Sequence, residues 1–232
     1  MPYYHYGFGF DPAYLLLVLV SLVLGLLTQG YIKRTYATWS RVPSDGSATG
    51  ADIARRMLAS EGCPQVGIRS TPGTLTDHYD PRDDNLYLSR DNLDGGSVAS
   101  VAVACHEAGH AVQRARGYAF MRFRTALVPV VNLASSAWMI VFLLGVFLNV
   151  AGLTTLAIVL FSFSVLFQVV TLPVEFDASR RAVAYIQSSG MSETCVRGAR
   201  KVLTAAALTY VAAALVSVLQ LLYLIGRSGD RD

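Results

Sequence analysis

Fifty consecutive residues, 125–174, carry no charged side chain, and further uncharged runs cover 12–32 and 202–226. A bilayer's hydrocarbon core takes about 20 apolar residues per helix. The fifty-residue run therefore has room for two spans and a turn, and each shorter run for one span. This predicts a mainly α membrane protein with four transmembrane helices, over 13–27, 126–148, 153–172 and 202–225, with 149–152 as the tight turn. Composition agrees: charged residues make up 15% of the chain, where soluble domains carry about 25%.

The same numbers remove collagen-like, disordered and disulfide-scaffold classes. A net charge of +3, with no stripes of Lys/Arg between aromatics, gives no reason to expect nucleic acid. Cys63, Cys105 and Cys195 form no CxxC pair and read as free, buried thiols. The first apolar run lacks the basic leader and small-residue cleavage site of a signal peptide. Lys33 and Arg34 follow it as a stop-transfer flank would, so it reads as an uncleaved anchor. Tyr3, Tyr4, Tyr6, Phe8 and Phe10 before it suit an interfacial aromatic belt.

Basic residues fix the expected orientation. Segment 30–124 holds 12 Lys/Arg and 173–201 holds 5, which is 17 of the 19 in the chain. Only Arg227 and Arg231 lie beyond them. The positive-inside rule puts these segments in the cytoplasm, with both termini outside. Pro129, Asn132 and Pro173, in or near spans, are tolerable there because neighbouring helices re-satisfy the backbone.

The polar stretch between the first two spans reads as a small α+β unit. Thr49 or Ser47 can cap a helix over 51–59 with Ile53, Met57 and Leu58 as its apolar stripe. Strand-like pieces follow at 66–69, 75–79 and 86–89, separated by a Pro-Gly turn at 72–73 and the turn-rich 80–85. Asp94, Gly95 and Gly96 then precede a helix over 97–116.

That last helix contains His106-Glu107-Ala108-Gly109-His110. Spacing i, i+4 puts both imidazoles on one face, where two nitrogens can hold one Zn²⁺. Glu107 can take a proton from water activated there and pass it to a leaving amine. Ala108 and Gly109 should leave the groove beside the metal open. With four His and four Glu in the chain, this pattern arises by chance about once in a thousand such sequences, which favours a metal site over two incidental histidines.

A catalytic zinc wants a third protein ligand. Glu61 sits in a turn and Glu193 follows the break at 188–190. Glu175 opens a helix-compatible run, 175–184, directly after the third span. The histidine helix leads into the second span and Glu175 leaves the third, so an even number of crossings returns both to one bilayer edge. Asp177, about 200° round a helix from Glu175, should not share the metal. It is expected to orient a ligand, to pair with Arg180 or Arg181, or to stand as a solvated charge.

Three segments together carry a family resemblance. The His106–His110 motif on a helix entering a span, Leu172-Pro-Val-Glu-Phe-Asp-Ala-Ser-Arg-Arg-Ala182 after two spans, and Leu75-Thr-Asp-His-Tyr-Asp-Pro81 upstream resemble the YugP-type neutral zinc metallopeptidases of bacterial membranes. The resemblance covers essentially the whole chain. It implies a gluzincin-like site: His106 and His110 on zinc, Glu107 as general base, Glu175 completing the ligand set. The motif also occurs in FtsH-type proteases, but this chain has no Walker A sequence. Where HtpX-type enzymes carry an acid four residues after the glutamate, this chain has Ser179.

The implied division is a leader and first span (1–29), a cytoplasmic zincin-like domain (30–125), a transmembrane hairpin (126–172), a cytoplasmic segment bearing the third ligand (173–201), and a fourth span with a short tail (202–232). The implied protein is a membrane-anchored zinc endopeptidase of the bacterial inner membrane, acting at the cytoplasmic face on peptides or proteins. Strand 75–79 is a candidate for holding substrate by main-chain hydrogen bonds, with His78 or Tyr79 near the site, unless it is an ordinary hairpin. Small residues at Gly145, Gly152 and in the Ala-rich fourth span could pack helices within one chain or between copies of a homo-oligomer. Two other readings stay open: an intramembrane protease in which 95–113 is itself a span, and a metal-stabilised scaffold without turnover. The first would split the basic residues between the two sides.

Overall fold

The computed structural model describes residues 11–229; the aromatic leader and Arg231 lie outside them. Helix α1 (Pro12–Trp39) starts where Pro12 fixes the first helical φ and Asp11 accepts a hydrogen bond from the Ala13 amide at 2.9 Å. Its outward residues are leucines and valines, Leu16, Leu19, Leu22 and Leu26 among them. A helix apolar all round suits lipid, not water. Helices α5 (Ala119–Phe147), α6 (Ala151–Ser188) and α7 (Glu193–Gly229) share this character, and these four helices are long and apolar enough to cross a membrane.

Between α1 and α5 in sequence come α2 (Gly50–Ser60), β1 (Gly67–Thr71), β2 (His78–Asp80), β3 (Asn85–Ser89), the single turn α3 (Arg90–Leu93) and α4 (Val98–Ala115). Thr49 caps α2 with a full capping box: its hydroxyl accepts from the Asp52 amide, and Asp52 accepts from the Thr49 amide. Ser97 caps α4 with its hydroxyl, which accepts from the Ser100 amide at 3.0 Å. These two expected helices form within about a residue of their expected ends, whereas the four apolar runs lie within longer helices.

The three strands form one sheet in the order β1-β3-β2, with β1 parallel and β2 antiparallel to β3. The middle piece differs from expectation. Leu75 adopts φ 58°, a left-handed turn conformation, so no strand can start there. The paired segment is His78–Asp80, and it lies at the sheet edge.

Helix α4 is the centre of the molecule. Val98, Val101, Ala102, Ala104, Cys105, Ala108 and Val112 are wholly buried, in one core with Met57 and Leu58 of α2, Leu86 and Leu88 of β3, Val174 and Ile186 of α6, and Val202 of α7. Most of α4 is buried by the surrounding elements, with Arg114 and Ala115 exposed at its end, and it is not among the four helices long and apolar enough to cross a membrane. The cysteines are free and buried, as expected.

Helices α5 and α6 form a hairpin whose turn uses Asn149 at φ 54°. Gly145 lets them close: a Cβ there would lie 2.7 Å from the Thr154 nitrogen. Helix α6 does not break at Pro173 but continues through it to Ser188, so Glu175 and Asp177 extend rigidly from an apolar helix.

Candidate metal centre

Two helices build the site. Helix α4 presents His106 and His110 one turn apart, with ring centroids 4.7 Å apart and planes at 81°. Helix α6 brings Glu175 against them: its Oε2 lies 3.2 Å from His106 Nε2 and 3.7 Å from His110 Nε2. One donor atom from each of the three falls within 4.8 Å of the others. Glu175 and His110 are buried, and His106 is nearly so. Two imidazole nitrogens and a carboxylate oxygen in one dry cluster are a donor set that suits zinc and leaves room for a further ligand. The three residues could hold a metal ion.

The close approach of the two helices has a cause. A Cβ at Gly109 would meet the Ala178 carbonyl oxygen at 2.8 Å and its Cα at 3.2 Å. Gly109 therefore does more than leave a groove open: it lets α6 seat its backbone against α4.

The remaining ring nitrogens are also occupied. Gln113 is fully buried, and its amide donates to the Val174 carbonyl at 2.8 Å and to Asp177 at 3.0 Å. Its oxygen therefore faces His110 Nδ1, at 3.0 Å, and that nitrogen carries the proton. His110 Nε2 is left facing Glu175, available to a metal once the ring is neutral. Ser179 Oγ stands 3.2 Å from His106 Nδ1 and orients that ring likewise. Metal-ligating histidines are commonly held by such partners.

Asp177 lies outside the metal cluster, as its helical phase required. It is tied to Gln113, Arg180 and Arg181, the last at 2.6 Å. It thus both orients a histidine, through Gln113, and pairs with the arginines. Arg180 touches the site only through this carboxylate, and its own side chain is mostly in solvent.

A cleft of about 520 Å³ opens on the cluster, lined by His106, Glu107, His110 and Glu175, by β2, by the start of α5 and by Tyr210 of α7. Glu107 is buried; burial raises its carboxyl pKa, the charges of His106 and His110 pull it back, and Glu175 pushes it up. A second cavity, about 260 Å³, reaches Glu107 and His106 from the α1–α7 side. Asp77 and Tyr210 line both.

His78 and Tyr79 line the cleft without touching the cluster. His78 is exposed, stacks on Tyr87 at 5.0 Å and bonds the Thr76 carbonyl. The Tyr79 hydroxyl donates to Asp84 at 2.5 Å. Asp77 fastens the loop before β2, accepting from the Ser89 amide at 2.7 Å and from Asn92 at 2.9 Å. Gln113, Tyr210 and Arg124 are site residues that sequence reasoning missed. Only Gln113, one turn beyond His110, left any signal in the spacing.

Residues 14–228 match the family described as "Putative neutral zinc metallopeptidase". The chain belongs to this family. It is also similar to "Putative membrane protease YugP" of Bacillus subtilis (strain 168), with 43% identity over 210 residues, covering 90% of this chain and 93% of that protein. No solved structure matches. Membership in a zinc metallopeptidase family agrees with the donor set.

Proposed function

We propose that the chain is a membrane-anchored, zinc-dependent endopeptidase. The observation that carries this reading is the cluster of His106, His110 and Glu175, within 4.8 Å, beside the buried Glu107 in a cleft with a strand edge on its wall. His106, His110 and Glu175 would hold the zinc. Bound there, zinc polarises a peptide carbonyl and makes water acidic enough to lose a proton near neutral pH.

The chain's own residues do the rest. Glu107 takes the proton of the attacking water and hands it to the leaving amine, a role favoured by a carboxyl whose pKa burial raises. Gln113 and Ser179 hold the imidazoles so that each Nε2 keeps its lone pair for the metal. Burial by α4, α6 and α7 excludes bulk water, which strengthens these interactions. The free edge of β2 offers main-chain groups to an extended substrate.

The reading includes the layout expected from the sequence. Residues 30–125 and 173–201 lie in the cytoplasm, 126–172 form a transmembrane hairpin, and 1–29 and 202–232 supply the outer spans of a multi-pass inner-membrane protein. Glu107→Gln is the direct test. It should retain one zinc per chain by metal analysis and lose peptide hydrolysis, whereas Glu175→Ala should lose the zinc. Undiminished hydrolysis by Glu107→Gln would remove it as the base. A wild-type protein that binds zinc and cleaves nothing would be a scaffold.

A further inference from the structure

Arg124 stands on the first turns of α5 and lines the cleft together with His106, Glu107, His110 and Glu175. Its guanidinium lies over the Phe167 ring, 5.6 Å from the centroid, a contact that holds the side chain in place. Its Nε is buried and finds no hydrogen-bond partner. None of the ion pairs among the described residues includes it. Arg181, by contrast, is neutralised by Asp177, and Arg116 by Glu61.

A buried donor left unpaired costs about 1–3 kcal/mol, and more on a charged group. A chain with no use for this donor gains by removing it. The guanidinium is always charged and presents its donors as a planar fork that fits a carboxylate. Arg122, two residues earlier, is exposed to solvent, whereas Arg124 is half-buried and lines the metal cleft.

We propose that Arg124 is a carboxylate-binding residue of the substrate cleft. It selects peptides that place an acidic side chain or a free C-terminal carboxylate near the scissile bond. This rests on the peptidase reading above and deepens it by naming the substrate class.

The test uses the full-length, zinc-loaded protein with paired fluorogenic peptides. One pair differs in Glu against Gln beside the scissile bond, the other in a free against an amidated C-terminus. Wild type should prefer the carboxylate member of one pair, and that pair identifies the source. Arg124→Gln should raise KM for that member by about tenfold or more, with kcat little changed, because a ground-state charge-assisted contact is lost. The neutral member should change less than twofold.

Arg124→Glu should favour the peptide with Lys at the same position, and Arg124→Lys should retain part of the preference. Equilibrium binding of the same peptides to the Glu107→Gln protein gives a readout without turnover, with the same ranking expected. Equal loss on acidic and neutral peptides, no preference in wild type, or activity that follows the anionic lipid content of the vesicles would each overturn the inference. If wild type cleaves nothing yet binds the acidic peptide through Arg124, the peptidase reading falls and the carboxylate site stands.

Discussion

Gly109 and Ala178 touch backbone to backbone, and this contact sets the distance between the histidine pair and Glu175. A side chain at 109 would stand 2.8 Å from the Ala178 carbonyl oxygen, so α6 would have to move away from α4. Gly109→Ala should therefore cost about 1–3 kcal/mol from overpacking and should also weaken zinc binding, since the carboxylate moves with α6. Gly30→Ala is the control: nothing lies within 4 Å of its Cβ position. Thermal unfolding with and without zinc should separate the two variants. Equal behaviour would mean that the helix contact does not govern the site.

Gln113 ties α4 and α6 together at His110. Its loss leaves Asp177 and the Val174 carbonyl without the amide that now reaches them. Gln113→Leu should destabilise the fold by roughly 2–4 kcal/mol, from buried groups left unsatisfied. It should also lower zinc affinity by about 10–100-fold through the freed His110 ring. A competition titration with a chelator measures the second effect independently of stability.

Ser179 stands four residues after Glu175, one helical turn on, and its hydroxyl reaches His106. Ser179→Ala should weaken zinc binding by about tenfold, the low end for an orienting partner. Ser179→Asp should bind zinc at least as well as wild type, since a carboxylate accepts more strongly from the His106 Nδ1–H. If alanine and aspartate lower the affinity equally, the hydroxyl contributes nothing to the metal.

These contacts mark where sequence reasoning reaches and where it stops. The spans were legible because a bilayer excludes charge, so uncharged runs of fixed length have one reading. The caps Thr49 and Ser97 were legible because capping is local. His106 and His110 follow from helical periodicity, and Glu175 from counting crossings. Gln113, Tyr210 and Arg124 were not legible, because each meets the site across a helix interface whose register depends on close contacts such as Gly109 against Ala178. The misplaced strand has a local cause that a pattern of apolar residues cannot reveal: Leu75 takes a left-handed turn conformation that its residue type does not announce.

The metal site should respond to pH through His110. Burial alone lowers the pKa of this imidazole, but the Glu175 carboxylate 3.7 Å from Nε2, with the charge of Glu107, outweighs it and brings it up to about 8. A value raised above the unfolded 6.5 means that the proton stabilises the metal-free fold below pH 6.5. That contribution is lost as pH rises through about 8. Zinc needs the neutral ring. Metal-free protein should therefore lose stability between about pH 6.5 and 8, while zinc affinity gains up to roughly tenfold per pH unit over the same window. Isothermal titration in buffers of different ionisation enthalpy should detect the released proton. A pH-independent affinity would show that His110 enters already neutral.

Sidedness can be tested without disturbing the site, because the native cysteines are buried and give little background to an impermeant thiol reagent. Ser70 is exposed on β1, within the stretch that holds most of the basic residues. Phe147 is 88% exposed at the far end of α5. The charge bias predicts that the first lies in the cytoplasm and the second outside. In intact cells the reagent should label Phe147→Cys at once and Ser70→Cys only after the membrane is opened. The opposite pattern would invert the orientation and put the metal cleft on the outer face. Labelling of both in sealed cells would break the four-span topology, since 70 and 147 would then share a side despite the span between them.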